Sequence, residues 1–206
     1  MKIISISDTH GLHRDLDLPK GDLIIHAGDI SDHGSKEEVI DFLNWFSDLT
    51  FPHKIFIGGN HDIFLDENLV DLLEILPTNI KYLNNSAVII DGIKFWGSPV
   101  TPDLEGWAFG KKRTAMKAHW KYMPTQIDVL ITHTPPLGIL DKSSRHISLG
   151  CSDLLDKVLQ INPQFHIFGH VHASYGIEKI GPTTFINTSN IHSLKGLINP
   201  PIVFDI

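Results

Sequence analysis

The sequence predicts an α/β fold, on three observations. Short apolar runs rich in β-branched residues each end in glycine or a polar cluster. Helical periodicities separate the early runs. The order then reads β-α-β-α and turns mostly to strand patterning.

Taken in order, Ile3 to Ser7 and Leu23 to Ala27 read as buried strands, because apolar residues fill successive positions. Ser35-Lys36-Glu37-Glu38 is a capping box: Ser35 can accept the Glu38 amide while Glu38 reaches back to Ser35. In the helix that follows, Val39, Leu43 and Phe46 recur at helical spacing with Ile40 and Phe42 beside them, until Pro52 intervenes. Lys54 to Ile57 is a third strand and Leu69 to Leu76 a second, short helix. Ala87 to Ile90 and Ile93 to Trp96 flank Asp91-Gly92, a pair that tolerates the positive φ of a two-residue hairpin turn. Val129 to Thr132 is a strand. A third helix starts near Ser152, sets Leu154, Leu155, Val158 and Leu159 on one side, and stops before Pro163. His166 to Phe168, Tyr175 to Ile180, Thr183 to Asn187 and Ile202 to Phe204 complete the strands, with turn chemistry at Gly181-Pro182. Pro99 to Lys112 and Pro135 to Leu149 are long connections of little pattern, the kind of segment that borders a site.

With 206 residues and 42% apolar content, the chain suits one domain over residues 1–206 with a sizeable core. Seventeen basic against twenty-four acidic side chains give a net charge of −7, which argues against broad nucleic-acid or anionic-membrane binding. One cysteine, Cys151, excludes an intrachain disulfide framework and a cysteine-built zinc site, and fits a reducing compartment. Ile3-Ile4-Ser5-Ile6 is too short for a signal-peptide core and far below the roughly 20 residues of a membrane span, so the expected location is cytoplasmic. Thirteen histidines are the unusual feature, since imidazole is the commonest transition-metal ligand.

Clusters of metal-ligand residue types follow the predicted strands. Asp8-Thr9-His10 follows the first, Gly28-Asp29 the second, and Gly58-Gly59-Asn60-His61-Asp62 the third. Thr132-His133-Thr134 and Gly169-His170-Val171-His172 end two later ones. Ligand sites of α/β sheets gather outside the carboxyl ends of the strands, so residues distant in sequence can converge there. Each cluster alone also has a structural reading. Asp8 or Asp29 can accept turn amides, the asparagine and aspartate can serve left-handed turn geometry, and a lone histidine can bond to backbone.

As an ordered set, the blocks D-x-H, G-D, G-N-H-D, H and G-H-x-H resemble the calcineurin-like metallophosphoesterase superfamily, with every fixed position present. Tyr82-Leu83, Trp96-Gly97-Ser98-Pro99, Gly106-Trp107-Ala108-Phe109, Thr132 to Leu137 and Gly150-Cys151 resemble its metallophosphoesterase-domain-containing branch, which includes cyclic-nucleotide phosphodiesterases. Some animal members of that branch carry glycine at the first histidine of the last block, where this chain has His170. The resemblance implies a four-layer α/β/β/α sandwich of two mixed sheets flanked by helices. It implies two divalent transition-metal ions, one held by Asp8, His10, Asp29 and His172, the other by Asp29, Asn60, His133 and His170, with Asp29 bridging. The mixed imidazole, carboxylate and amide donors suit manganese first, with iron, zinc, cobalt or nickel as alternatives. Two such cations against Asp8, Asp29 and a bridging hydroxide leave a local charge of about +1, suited to a phosphate anion. The implied reaction is in-line attack of a metal-bound hydroxide on a small phosphate diester, a cyclic nucleotide among the candidates. His61 would contact the phosphate or protonate the leaving alkoxide, with Asp62 orienting its ring or merely capping the loop.

Other candidates read first as structure. Cys151 is a packed or capping thiol; Lys111, Lys112, Arg113 and Arg145 are solvated loop charges that could also touch phosphate. Trp96, Trp107 and Phe109 are core aromatics or a surface for a nucleobase. His13 and His33 sit close to ligand blocks as a possible outer shell, while His26, His53, His119, His146, His166 and His192 have no assigned role. The rival readings are a phosphomonoesterase, a nuclease, which the −7 balance disfavours, and a non-catalytic scaffold, which the complete ligand set disfavours. The sequence carries no signal of oligomeric state.

Overall fold

The computed structural model of the chain describes residues 1–104, 106–192, 196–197 and 199–206. Strands β1 (Lys2–Ile6) and β2 (Leu23–Ala27) run parallel and are almost wholly buried. Helix α1 (Lys36–Asp48) starts at the predicted capping box, with both reciprocal bonds formed, and buries Val39, Phe42, Leu43 and Phe46. Ile40 stands at the margin of that face. Strand β3 (His53–Ile57) pairs with β2, and helices α2 (Ile63–Glu67) and α3 (Leu69–Ile75) lead to β4 (Lys81–Tyr82). The hairpin of β5 (Ser86–Ile90) and β6 (Ile93–Ser98) turns at Asp91 and Gly92, at φ 50° and 84°.

Two-residue strands β7 (Thr101–Pro102) and β8 (Gly110–Lys111) pair across the first weakly patterned connection, in which Glu105 lies outside the described residues. Helix α4 (Met116–Trp120) precedes β9 (Val129–Thr132). The second connection, Pro135 to Leu149, carries no strand or helix beyond isolated bridges. Helix α5 (Ser152–Ile161), β10 (Phe165–Phe168), β11 (Gly176–Ile180) and β12 (Thr183–Asn187) follow. The chain ends in β13 (Ile191–His192), β14 (Gly196–Leu197) and β15 (Ile202–Asp205).

Two mixed sheets result, ordered β15-β1-β2-β3-β4 and β11-β12-β10-β9-β6-β5. In the first, β15 is antiparallel to its neighbour; in the second, β5 and β11 are. Their facing sides close on one apolar layer, with Ile3, Leu23, Ile25, Ile55 and Ile57 from one sheet and Phe95, Val129, Ile131, Ile167 and Ile186 from the other. Helix α1 covers the outside of the first sheet through Val39, Phe42 and Phe46 against Ile4, Ile24 and Phe56. Helices α4 and α5 cover the second through Met116, Trp120, Leu154 and Val158 against Leu130, Phe168 and Phe185. This is the expected four-layer sandwich.

One local expectation needs correction, and two short helices are new. Leu159 is 51% exposed, because at 3.6 residues per turn it lies about 140° round the helix from Leu154; Leu155 and Ile161 flank the buried face instead. Helices α2 and α4, five residues each, are additions that no repeated period announces. Among the described residues no helix is long and apolar enough to cross a membrane.

Candidate metal centre

The predicted ligand residues stand just past the carboxyl ends of five strands, three in one sheet and two in the other. The backbone there is unusual. Asp8, His10, Asp29 and His170 adopt φ values of 53°, 43°, 55° and 67°, a left-handed conformation that side-chain-bearing residues seldom hold. Surrounding bonds enforce it: the Asp8 amide donates to the Gly28 carbonyl at 2.9 Å, and that of His10 to the Asp29 carbonyl at 3.1 Å. Space is equally tight. A Cβ on Gly59 would collide with the Asp29 carboxylate and the His133 ring, and one on Gly169 with Ser7 and Asp8.

The buried carboxylates of Asp8 and Asp29 have imidazoles as their ion-pair partners among the described residues. His172 Nε2 is 3.3 Å from Asp8, and His133 Nε2 and His10 Nε2 are 3.3 and 3.7 Å from Asp29. Burial would raise both carboxyls, yet the neighbouring histidines, His172 for Asp8 and His133 for Asp29, hold them well below the usual carboxylate range. Burial likewise opposes the His133 charge, but Asp29 and Asp8 overcome it and hold the ring near pKa 9. Geometry agrees: Nδ1 faces the Ala27 carbonyl at 2.9 Å, and Nε2 faces Asn60 Oδ1 at 3.1 Å as well as Asp29. With only acceptors around it, this ring carries two protons, and the one on Nε2 sits where a cation is wanted. His172 is raised in the same way, against burial, by Asp8. His170 is lowered to about 4 by burial and by His133, whose ring centre is 5.2 Å away, so it stays a neutral donor.

Ligand atoms of Asp8, His10 and His172 lie within 4.8 Å of one another, as do those of Asp8, Asp29 and His133. Both ring nitrogens of His10 are shielded from solvent and have no hydrogen-bond partner, a costly state unless an ion takes a lone pair. The donor set therefore fits hard-to-borderline divalent metals. The structure brings Asp8, His10, Asp29, Asn60, His133 and His172 together, and leaves His170 at the margin through its ring contact with His133. A third triad within the same limit joins His10 and His61 to Asp32, a residue the motifs do not include.

His61 donates its backbone N–H to Asp29 Oδ1 at 2.8 Å, and its Nδ1 lies 2.8 Å from the Asp32 carbonyl. A carbonyl only accepts, so Nδ1 carries a proton and Nε2 remains for other work. The expectation that Asp62 orients this ring is corrected. Its carboxylate instead accepts from Gly59 N, Ile30 N, Ser31 N and Ser31 Oγ at 2.6–3.3 Å, which makes it the loop-capping group. Burial and the Asp29 charge raise it to about 6, while the donors from Ser31 and Gly59 oppose them.

Residues outside the motifs complete the frame. Ser189 Oγ donates to Asp8 Oδ2 at 2.7 Å, and Asn190 Oδ1 accepts the Ser7 amide at 3.0 Å. Their signal was present as Asn187-Thr188-Ser189-Asn190, a small polar run at a strand end, all four fully buried. His26 and His166, also fully buried, bond Thr9 and Thr132 beside the ligands, at 2.9 and 2.8 Å. His13 is no outer-shell group: it pairs with Asp41 at 3.2 Å and packs on Phe42 and Trp45. His33 is solvent-exposed beside Asp32. Cys151 is a packed thiol that accepts from Trp120 Nε1. Arg113 is tied to Asp103 at 2.6 Å, whereas Arg145 and Lys111 are exposed. Trp96 and Phe109 are core, but Trp107 lies against His61 at 4.7 Å.

The profile of a family described as calcineurin-like phosphoesterase matches residues 1–174. The chain is 39% identical over 219 residues to UPF0046 protein K07C11.7 of Caenorhabditis elegans, spanning 99% of this chain and 74% of that protein. It is 35% identical over 230 residues to Metallophosphoesterase domain-containing protein 1 of Homo sapiens, spanning 100% and 71%. Among solved structures, TT1561 of Thermus thermophilus shares the fold at a TM-score of 0.63, with 14% identity over 90% of this chain and 88% of that one.

Proposed function

The chain belongs to the calcineurin-like phosphoesterase family and is a metal-dependent phosphoesterase, and from that premise we propose that it hydrolyses small phosphate diesters, cyclic nucleotides among them, by in-line attack of water. The observation that carries the reading is the convergence on one point of the buried carboxylates of Asp8 and Asp29 and the His10 ring, whose nitrogens have no hydrogen-bond partner, from one sheet with His133 and His172 from the other. Asp8, His10, Asp29 and His172 would hold one divalent metal and Asp29, Asn60, His133 and His170 the other, with manganese the first choice. Such a pair supplies Lewis acidity, which offsets phosphate charge and makes water acidic enough to attack near neutral pH.

The chain's own groups do the rest. Asp29 fixes the His61 backbone, and the Asp32 carbonyl fixes the His61 ring, so that the imidazolium gives its Nε2 proton to the leaving oxygen and becomes neutral with Nδ1–H kept on the carbonyl. Beyond the metals themselves, no lysine or arginine stands in the ligand set or, among the described residues, in its hydrogen-bond frame to offset further phosphate charge. That favours the single charge of a diester over the double charge of a monoester. The substrate is read as a small molecule rather than a nucleic acid or membrane, and the location as cytoplasmic, with residues 1–206 acting as one domain. The test is metal-free protein loaded with manganese, iron, cobalt, nickel or zinc and assayed on bis(p-nitrophenyl) phosphate, cyclic nucleotides and phosphomonoesters. Diesters should turn over fastest. Folded protein without turnover under all five metals would overturn the esterase reading, and faster monoester cleavage would replace the diesterase one.

A further inference from the structure

Trp107 is 47% exposed, although its neighbours Ala108 and Phe109 are buried at 4% and 7%. Exposure alone is ordinary for an apolar side chain, but this indole stands against the ring of His61. The segment that presents it is held at some cost. Phe109, a bulky residue, takes φ 54°, whereas Gly106 meets its φ of 86° without strain. Its ring lies where a Cβ on Gly58 would fall.

One bond closes this knuckle on itself, and two fix it to the block that carries His61 and to helix α2 behind that block. Trp107 N–H donates to Leu104 O at 3.2 Å, Ala108 N–H to Asn60 O at 3.1 Å, and Phe109 N–H to Asp66 Oδ2 at 2.8 Å. The indole therefore meets the His61 ring at 4.7 Å between centres, tilted by 58°. Strain and hydrogen bonds have been arranged around one half-exposed flat surface next to the proton donor.

We propose that Trp107 is the stacking surface for the alcohol that leaves, and that it selects phosphate esters whose leaving group carries a planar aromatic ring, aryl or nucleobase. The inference rests on the reading of His61 as the acid at the leaving oxygen: whatever is attached to that oxygen lies beside His61, and the indole stands against that ring. Base–aromatic stacking of this kind is worth about ten- to hundredfold in affinity.

Binding of non-hydrolysable phosphonates separates this idea from catalysis. Calorimetry would follow phenylphosphonate and methylphosphonate binding to manganese-loaded wild type, Trp107→Phe and Trp107→Ala. Phenylphosphonate should bind the first two alike and Trp107→Ala at least about tenfold more weakly, with methylphosphonate indifferent to all three. Equal phenylphosphonate affinity in wild type and Trp107→Ala would overturn the proposal. So would an equal loss of both phosphonates, which would make the indole a prop for the site. Binding that depends on Trp107 in a protein that cleaves no ester would uphold the stacking surface while sinking the esterase reading.

Discussion

The ring of His61 meets His10, Trp107 and the carbonyl of Asp32, whereas the carboxylate of Asp62, next in the chain, is enclosed by four donors. Residue types at both positions were legible in the Gly-Asn-His-Asp block, but their division of labour was not, because it depends on amides of residues 30 and 31 that no spacing reveals. Substitution should separate the roles. His61→Ala is expected to retain its metals by elemental analysis and lose about 10²- to 10⁴-fold in kcat, more for alkyl than for p-nitrophenyl leaving groups. Undiminished turnover of an unactivated diester would remove His61 from the mechanism. Asp62→Asn turns an acceptor into a donor facing donors, so denaturant titration should show a loss of about 1–3 kcal/mol, with the shape of the pH–rate profile preserved. A stable Asp62→Asn protein with an altered profile would instead mean that this carboxylate acts on the reaction.

At the scale of elements, the start of α1 links fold to site. Ser35 Oγ accepts the Glu38 amide at 3.2 Å, and the Glu38 carboxylate accepts from Asp32, His33 and Ser35 at 2.9–3.2 Å. One side chain thus caps the helix and holds the loop whose carbonyl orients His61. Ser35→Ala should cost about 1 kcal/mol, or about 2–4 °C in Tm, with kcat unchanged. Glu38→Ala should cost stability and also lower kcat by about tenfold, since a catalytic ring that has lost its orienting carbonyl is displaced. Equal kcat in both variants would show that residues 32–34 hold themselves. The capping box was legible because its geometry is local. Helices α2 and α4 are too short to show a period, and β7 pairs with β8 only because a bent connection brings them together. What sequence cannot display is a short element whose reason lies in a distant partner.

Over the whole molecule, alternation of strands and helices predicted the class, but not that β15 returns to pair with β1 or that β12 inserts between β10 and β11. Those pairings are non-local, and they carry Ser189 onto Asp8 from the opposite sheet. The two sheets meet at the centre through His170 N–H on Asp8 at 3.0 Å and His133 Nδ1 on the Ala27 carbonyl. A metal held there fastens one sheet to the other, so it should stabilise the entire fold and not only the site. Without metal, a proton on His133 fills part of that role. Its pKa of about 9, against 6.5 for an ordinary histidine, means the contribution is complete below pH 6.5 and is lost as pH rises through 9. His172, raised by Asp8, acts in the same sense. Metal must displace these protons to bind, so its affinity rises over the same window. The Tm gap between manganese-loaded and metal-free protein should therefore widen from pH 6.5 to 9. With free metal at a hundred times Kd the stabilisation is about 2.7 kcal/mol, and each kcal/mol is worth roughly 2–4 °C. Scanning calorimetry at several pH values checks this, with Asp29→Ala as the control that should lose the gap. A gap that stays constant with pH, or survives in Asp29→Ala, would mean that the metal sits elsewhere and that the sheets are joined without it.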